Sequence, residues 1–99
     1  MAYLQHEETL PDSYPALVES DPLNRWIISL PDFPELCIVG LGTLAQALSD
    51  AEYQLAWAIR RRREGSRLCP YPSMESSLAG NVERIRVAME TPPIIEEEG

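Results

Sequence analysis

Two prolines three positions apart, Pro31 and Pro34, separate a strand-like run from a helix-like run, and they constrain this chain more than any other feature. Each removes a backbone donor and biases the residue before it away from helix, so the chain must leave any sheet here. Before them, Arg25-Trp26-Ile27-Ile28-Ser29-Leu30 has the aromatic and β-branched character of a half-buried strand. It follows Pro15-Ala16-Leu17-Val18-Glu19 across Asp21-Pro22-Leu23-Asn24, a turn cluster in which Pro22 sets φ and Asn24 accepts a positive φ. The two runs form an antiparallel hairpin. After the prolines, Leu36-Cys37-Ile38-Val39, bounded by Gly40 and Gly42, is a short third strand and a turn.

Thr43 opens a long helix, and Gln46 completes a Thr-x-x-Gln capping box. Leu44, Leu48, Ala51, Leu55 and Ala58 or Ile59 recur at three- and four-residue spacing, which makes one apolar stripe to lie on the sheet. Asp50, Glu52 and Gln54 fall outside that stripe. The helix ends near Arg63 to Gly65, where arginines suit the negative end of the dipole and Gly65 suits a left-handed stop. Leu68-Cys69-Pro70-Tyr71-Pro72-Ser73 is an extended connector, and a polar interval follows. Residues 82–90 then alternate, with Ile85, Val87 and Met89 on one face and Arg84, Arg86 and Glu90 on the other. A charged face of this kind fits an edge strand. The fold class is therefore α+β: a three-stranded antiparallel meander, one long helix packed on it and a further C-terminal strand. Residues 1–13 read as a flexible arm or short extra strand, 14–90 as the domain and 91–99 as an acidic tail.

A chain of 99 residues supports one small domain with a thin core, and one helix on a small sheet leaves a face or an edge uncovered. A homodimer or higher even oligomer is expected. The net charge of -8 disfavours direct binding to DNA, RNA or an anionic membrane and favours a basic protein partner. No run is apolar enough to span a membrane, and the first residues lack a signal peptide's basic start and apolar core, so the expected location is cytoplasmic. Cys37 and Cys69 have neither Cys-x-x-Cys spacing nor a neighbouring histidine, so they read as two reduced thiols and not as zinc ligands.

Several residues invite sharper readings. Asp32, Asp50 and Glu52 suggest a two-metal nuclease, yet Asp32 lies at a proline corner and Asp50 and Glu52, two apart on a helix, point in different directions. Catalysis, a metal and a cofactor are therefore not expected. The four arginines 60–63 fan around the helix instead of forming one stripe, and they read as a solvated helix end. His6, the only histidine, lies in the arm and is a poor general base. Trp26 reads as core. Trp57, off the apolar stripe, is a candidate for partner contact or self-association, together with Arg84, Ile85, Arg86, Val87 and Met89 of the last strand.

Four short motifs occur in order: Tyr14-Pro15-Ala16, Leu30-Pro31-Asp32-Phe33-Pro34-Glu35, Thr43-Leu44-Ala45-Gln46-Ala47-Leu48 and Pro70-Tyr71-Pro72-Ser73. In this the chain resembles the HicB-like antitoxin family over about two-thirds of its length. Pro31, Asp32, Pro34, Thr43 and Gln46 match the structural positions of the motif. The resemblance implies a cut-down ribonuclease H-like fold that has no nuclease activity and that neutralises a small basic HicA-type ribonuclease toxin. Glu35 stands where the family usually has glycine, and Gly40-Leu41-Gly42 replaces its polar approach to the helix. Many HicB antitoxins also carry a C-terminal DNA-binding module; with about ten residues after the last strand, operator binding is not expected here. The alternative is an orphan homo-oligomeric structural or regulatory protein of the same fold.

Overall fold

The computed structural model describes residues 3–4 and 10–88. The expected positions of His6, Met89 and Glu90 and of the acidic tail lie outside the described residues. The elements run β1 (Ser13–Ser20), β2 (Trp26–Ser29), β3 (Cys37–Gly40), α1 (Leu44–Glu64), a single 3-10 turn (Glu75–Ser77) and β4 (Asn81–Arg86). This is the expected α+β order.

All strand pairs are antiparallel and the sheet order is β3-β2-β1-β4. The β1–β2 turn forms as its residues dictate. Asn24 adopts φ 61°, and the Asp21 carboxylate accepts from the backbone N–H groups of Leu23 and Arg25 at 3.0 and 2.9 Å. The last strand returns to pair with β1, with Tyr14 opposite Ile85, and so forms one edge of the sheet.

Side-chain alternation along these registers sorts the sheet into two faces. Tyr14, Ala16, Val18, Ile28, Ile38 and Ile85 share one face and are buried beneath α1. From the helix come Ala47, Ala51, Leu55, Ala58 and Ile59, with Leu44 and Leu48 packed partly against them. Small residues bring helix and sheet close: a Cβ added to Gly40 would meet that of Ala47 at 2.7 Å. The opposite face carries Leu17, Ile27 and Val82, half-buried, and Cys37 and Val39, exposed.

The capping box is present as read, with Gln46 N–H donating to Thr43 Oγ1 at 3.1 Å and Thr43 N–H to Gln46 Oε1 at 2.9 Å. The other end of the helix corrects the sequence reading. Gly65 keeps a negative φ of -89°, and the left-handed residue is Ser66 at φ 60°. Ser66 N–H reaches the Arg63 carbonyl at 3.1 Å and Arg67 N–H the Arg62 carbonyl at 2.7 Å. That bond pair is the Schellman pattern, which requires the left-handed residue one position beyond the cap.

β1 starts at Ser13, and the preceding arm is pinned at Leu4, which is buried and whose N–H donates to the Cys69 carbonyl at 2.7 Å. Tyr3 bridges to Pro70. β4 ends at Arg86, because at Val87 the ladder gives way to one bond from its N–H to the Asp12 carbonyl.

Candidate interaction site

Three of the four sequence motifs, those of Tyr14, the Leu30–Glu35 corner and Pro70–Ser73, meet in a network of buried polar and aromatic groups, while the Thr43–Leu48 motif caps the other end of α1. Pro31 and Pro34 turn the chain so that Asp32 and Phe33 point inward, where Asp32 is 2% exposed. A buried carboxylate needs donors. Ser73 provides two, its backbone N–H at 2.8 Å and its hydroxyl at 2.6 Å. Tyr14 donates its hydroxyl to the Pro70 carbonyl at 2.6 Å and meets the Phe33 ring edge-on, with centroids 4.9 Å apart. Burial above all, with smaller contributions from the neighbouring Cys69 and Asp32, pushes the Tyr14 phenol well above the usual tyrosine range.

Arg62 closes this network from the helix. Its guanidinium lies 4.6 Å over the Phe33 ring, donates to both Glu35 oxygens at 2.9 and 3.1 Å, and approaches the Leu68 carbonyl at 3.4 Å. The arginine run is therefore not a uniformly solvated helix end: Arg62 turns inward while Arg60, Arg61 and Arg63 remain exposed. Glu35 is the counter-charge of Arg62. Burial by itself would raise the Glu35 pKa, but the hydrogen bonds and charge of Arg62 outweigh it and hold the carboxyl below its ordinary value.

Asp32 is thus a structural acid, and Asp50 and Glu52 lie elsewhere, on α1. Asp50 accepts from Gln54 at 3.1 Å and Glu52 faces Arg86 at 3.4 Å. Among the described residues no group of three or more His, Cys, Asp or Glu is placed to hold a metal ion. Both cysteines are free; Cys37 is exposed on the edge strand β3, and burial pushes the Cys69 thiol up.

The candidate contact residues separate into three environments. Ile85, at 1% exposure, belongs to the core, and Val87 packs partly against it. Arg84 lies along the β4 edge, donating to the Ser13 hydroxyl at 2.6 Å and pairing with Glu75 at 2.6 Å. Arg86 and Trp57 come together. With Tyr53, Ala56, Arg60 and Ala88 they line a groove of about 290 Å³ between the outer face of α1 and the end of β4. Trp57 is 48% exposed and Arg61 stacks over its ring at 5.2 Å. Trp26, by contrast, packs partly on the core and donates its indole N–H to the Gly42 carbonyl at 3.2 Å. Tyr53 and Arg60 were legible only as helix surface; their three- and four-residue spacing to Trp57 was the available signal.

No protein-family model matches the chain, and no curated protein or solved structure matches it either.

Two outcomes test the network. Asp32→Ala is expected to destabilise the fold by roughly 2–4 kcal/mol and Ser73→Ala by less, with a favourable coupling of about 1–2 kcal/mol in a double-mutant cycle measured by urea unfolding; additive effects would contradict the pairing. For Glu35 the folded pKa lies below the unfolded one, so its contribution is present above the ordinary value of 4.5 and is lost as pH falls through the depressed folded value. Because that side chain is 38% exposed, solvent screening keeps the pair below about 1 kcal/mol. The stability difference between wild type and Glu35→Gln should vanish on acidification, and a difference independent of pH would contradict it.

Proposed function

We propose that this protein is a non-catalytic protein-binding module of the HicB-like antitoxin type, acting in the cytoplasm by masking a small basic ribonuclease toxin, without a cofactor and without direct DNA contact. The observation that carries this reading is the convergence of three of the four resembling motifs. Tyr14, the corner from Leu30 to Glu35 and the Pro70–Ser73 exit belong to one bonded unit, joined from the far end of the helix by Arg62. Residues that match a family pattern only by chance have no reason to bond one another across 41 or 56 positions. The net charge of -8 supports the reading from the side of the partner, since a basic protein is the electrostatic complement of this surface.

A second reading rests on the sheet. The face opposite α1 presents Ile27, Val39 and Leu17, and an apolar sheet face is a natural seat for a second copy. In this reading the protein is an orphan homo-oligomer with no toxin.

The two readings part on one experiment. The tagged protein is purified from its native lysate after nuclease treatment, and any stoichiometric companion is assayed for ribonuclease activity with and without it. A small basic companion whose activity is suppressed at equimolar ratio is the expected result. Recovery of the protein alone, as an even oligomer by light scattering, would overturn the toxin reading and leave the second.

A further inference from the structure

Beside its core stripe, α1 carries a second stripe, from Tyr53 through Ala56 and Trp57 to Arg60, and this stripe forms one wall of the groove closed by Arg86 and Ala88. The charge of the groove runs against that of the molecule. On a chain of net charge -8 it gathers Arg60, Arg86 and, over the Trp57 ring, Arg61, against one lining carboxylate, Glu52. The contact of Glu52 to Arg86 is long, 3.4 Å, and the Arg86 side chain stays 70% exposed. Arg60 and Arg61 are exposed and make no ion pair with any described residue. The same wall is aromatic, with Tyr53 77% and Trp57 48% exposed.

Tryptophan, tyrosine and arginine are the residues that most often carry the binding energy of protein interfaces, and here they stand together off the core stripe. An apolar side chain of a partner can seat on Ala56, a small residue between the Tyr53 and Trp57 rings. Carboxylates beside it then meet Arg60 and Arg61 toward the end of α1 and Arg86 across the groove. The stripe from Tyr53 to Arg60 spans roughly 10 Å, the length of about three extended residues, and a volume of about 290 Å³ holds only a few side chains. Nucleic acid fits less well. One face of the Trp57 ring already carries Arg61, which obstructs base stacking, and a polyphosphate meets the repulsion of the whole chain, whereas a short acidic segment meets it with few charges. A basic protein is repelled by the same three arginines, so the groove is separate from the surface that the toxin reading requires.

We propose that this groove docks a short acidic segment of a partner protein, with one apolar side chain against Ala56 and Trp57 and carboxylates toward Arg60, Arg61 and Arg86. The docked segment covers the exposed aromatic rings and supplies the counter-charge that these arginines lack. It goes beyond both readings of the function and holds under either, because it depends only on the residues of the groove.

The two tryptophans make the test direct. The probe is a capped peptide of one leucine flanked on each side by three glutamates, titrated into the full nitrogen-15-labelled chain and read at the indole N–H resonances. That of Trp57 is expected to shift saturably, while that of Trp26, held on the Gly42 carbonyl, stays in place. Arg60→Glu/Arg86→Glu is expected to weaken binding about ten-fold, and high salt or a serine in place of the leucine should weaken it as well. If the double variant does not fold, Arg60→Glu alone decides by the same readout. The absence of a saturable Trp57 shift would overturn the proposal, as would equal affinity in the charge-reversed variant or for a peptide with lysines in place of the glutamates. Tighter binding of a uridine hexanucleotide than of the glutamate peptide would overturn it in favour of nucleic acid. None of these outcomes depends on a toxin.

Discussion

The bond from Ser73 to the buried Asp32 carboxylate is the constraint on which the rest of this structure depends. Among the described residues, one helix on four strands makes a thin core, and the segment after the helix has little secondary structure of its own to hold it. Residues 67–80 contain only one 3-10 turn, yet they must deliver β4 to the free edge of β1. Asp32 fixes this segment at Ser73 and Tyr14 fixes it at Pro70, while Arg62 approaches it at Leu68. The proline corner, the start of β1, the helix end and the connector are thereby one unit, and β4 is placed by it.

The parts of the fold with local causes were readable in the chain. The Thr43–Gln46 box, the positive φ of Asn24 and the apolar spacing of α1 each depend on residues within a few positions, and each formed as its chemistry requires. What could not be read depends on distant partners. Arg62 looks the same as its three neighbours in sequence, and only the rotation of α1 over Phe33 and Glu35, 27 positions earlier, turns it inward. The left-handed residue fell on Ser66 because the helix closes with a pair of backbone bonds whose register a glycine one place earlier does not set. The alternation of the last strand placed Ile85 correctly on the apolar side, but alternation does not distinguish a core face from a contact face; pairing with Tyr14 decides it.

The candidate site shows the same division. Trp57 and Arg86 were legible as surface residues with no structural duty, but not as neighbours, because helix and strand meet only in three dimensions. Tyr53 and Arg60 complete the groove through helical spacing from Trp57. The charge distribution then has a physical logic. One arginine of the run is used inside to neutralise Glu35, and Arg60 and Arg61 flank an aromatic groove on a molecule whose net charge is -8. The uncovered sheet face, with Leu17, Ile27, Val39 and Val82, and the groove, with Tyr53, Trp57, Arg60 and Arg86, share strand β4 but use different residues.

Native-state hydrogen exchange at the Ser73 amide addresses the central constraint most directly. Its N–H sits in a connector that would ordinarily exchange quickly, and only the bond to Asp32 holds it. Protection matching that of the β1 and β2 amides, so that Ser73 opens only when the whole domain unfolds, is the predicted result. Exchange as fast as that of exposed connector positions such as Ser76 would contradict it, and would mean that the connector opens freely and that β4 is held by its own ladder alone.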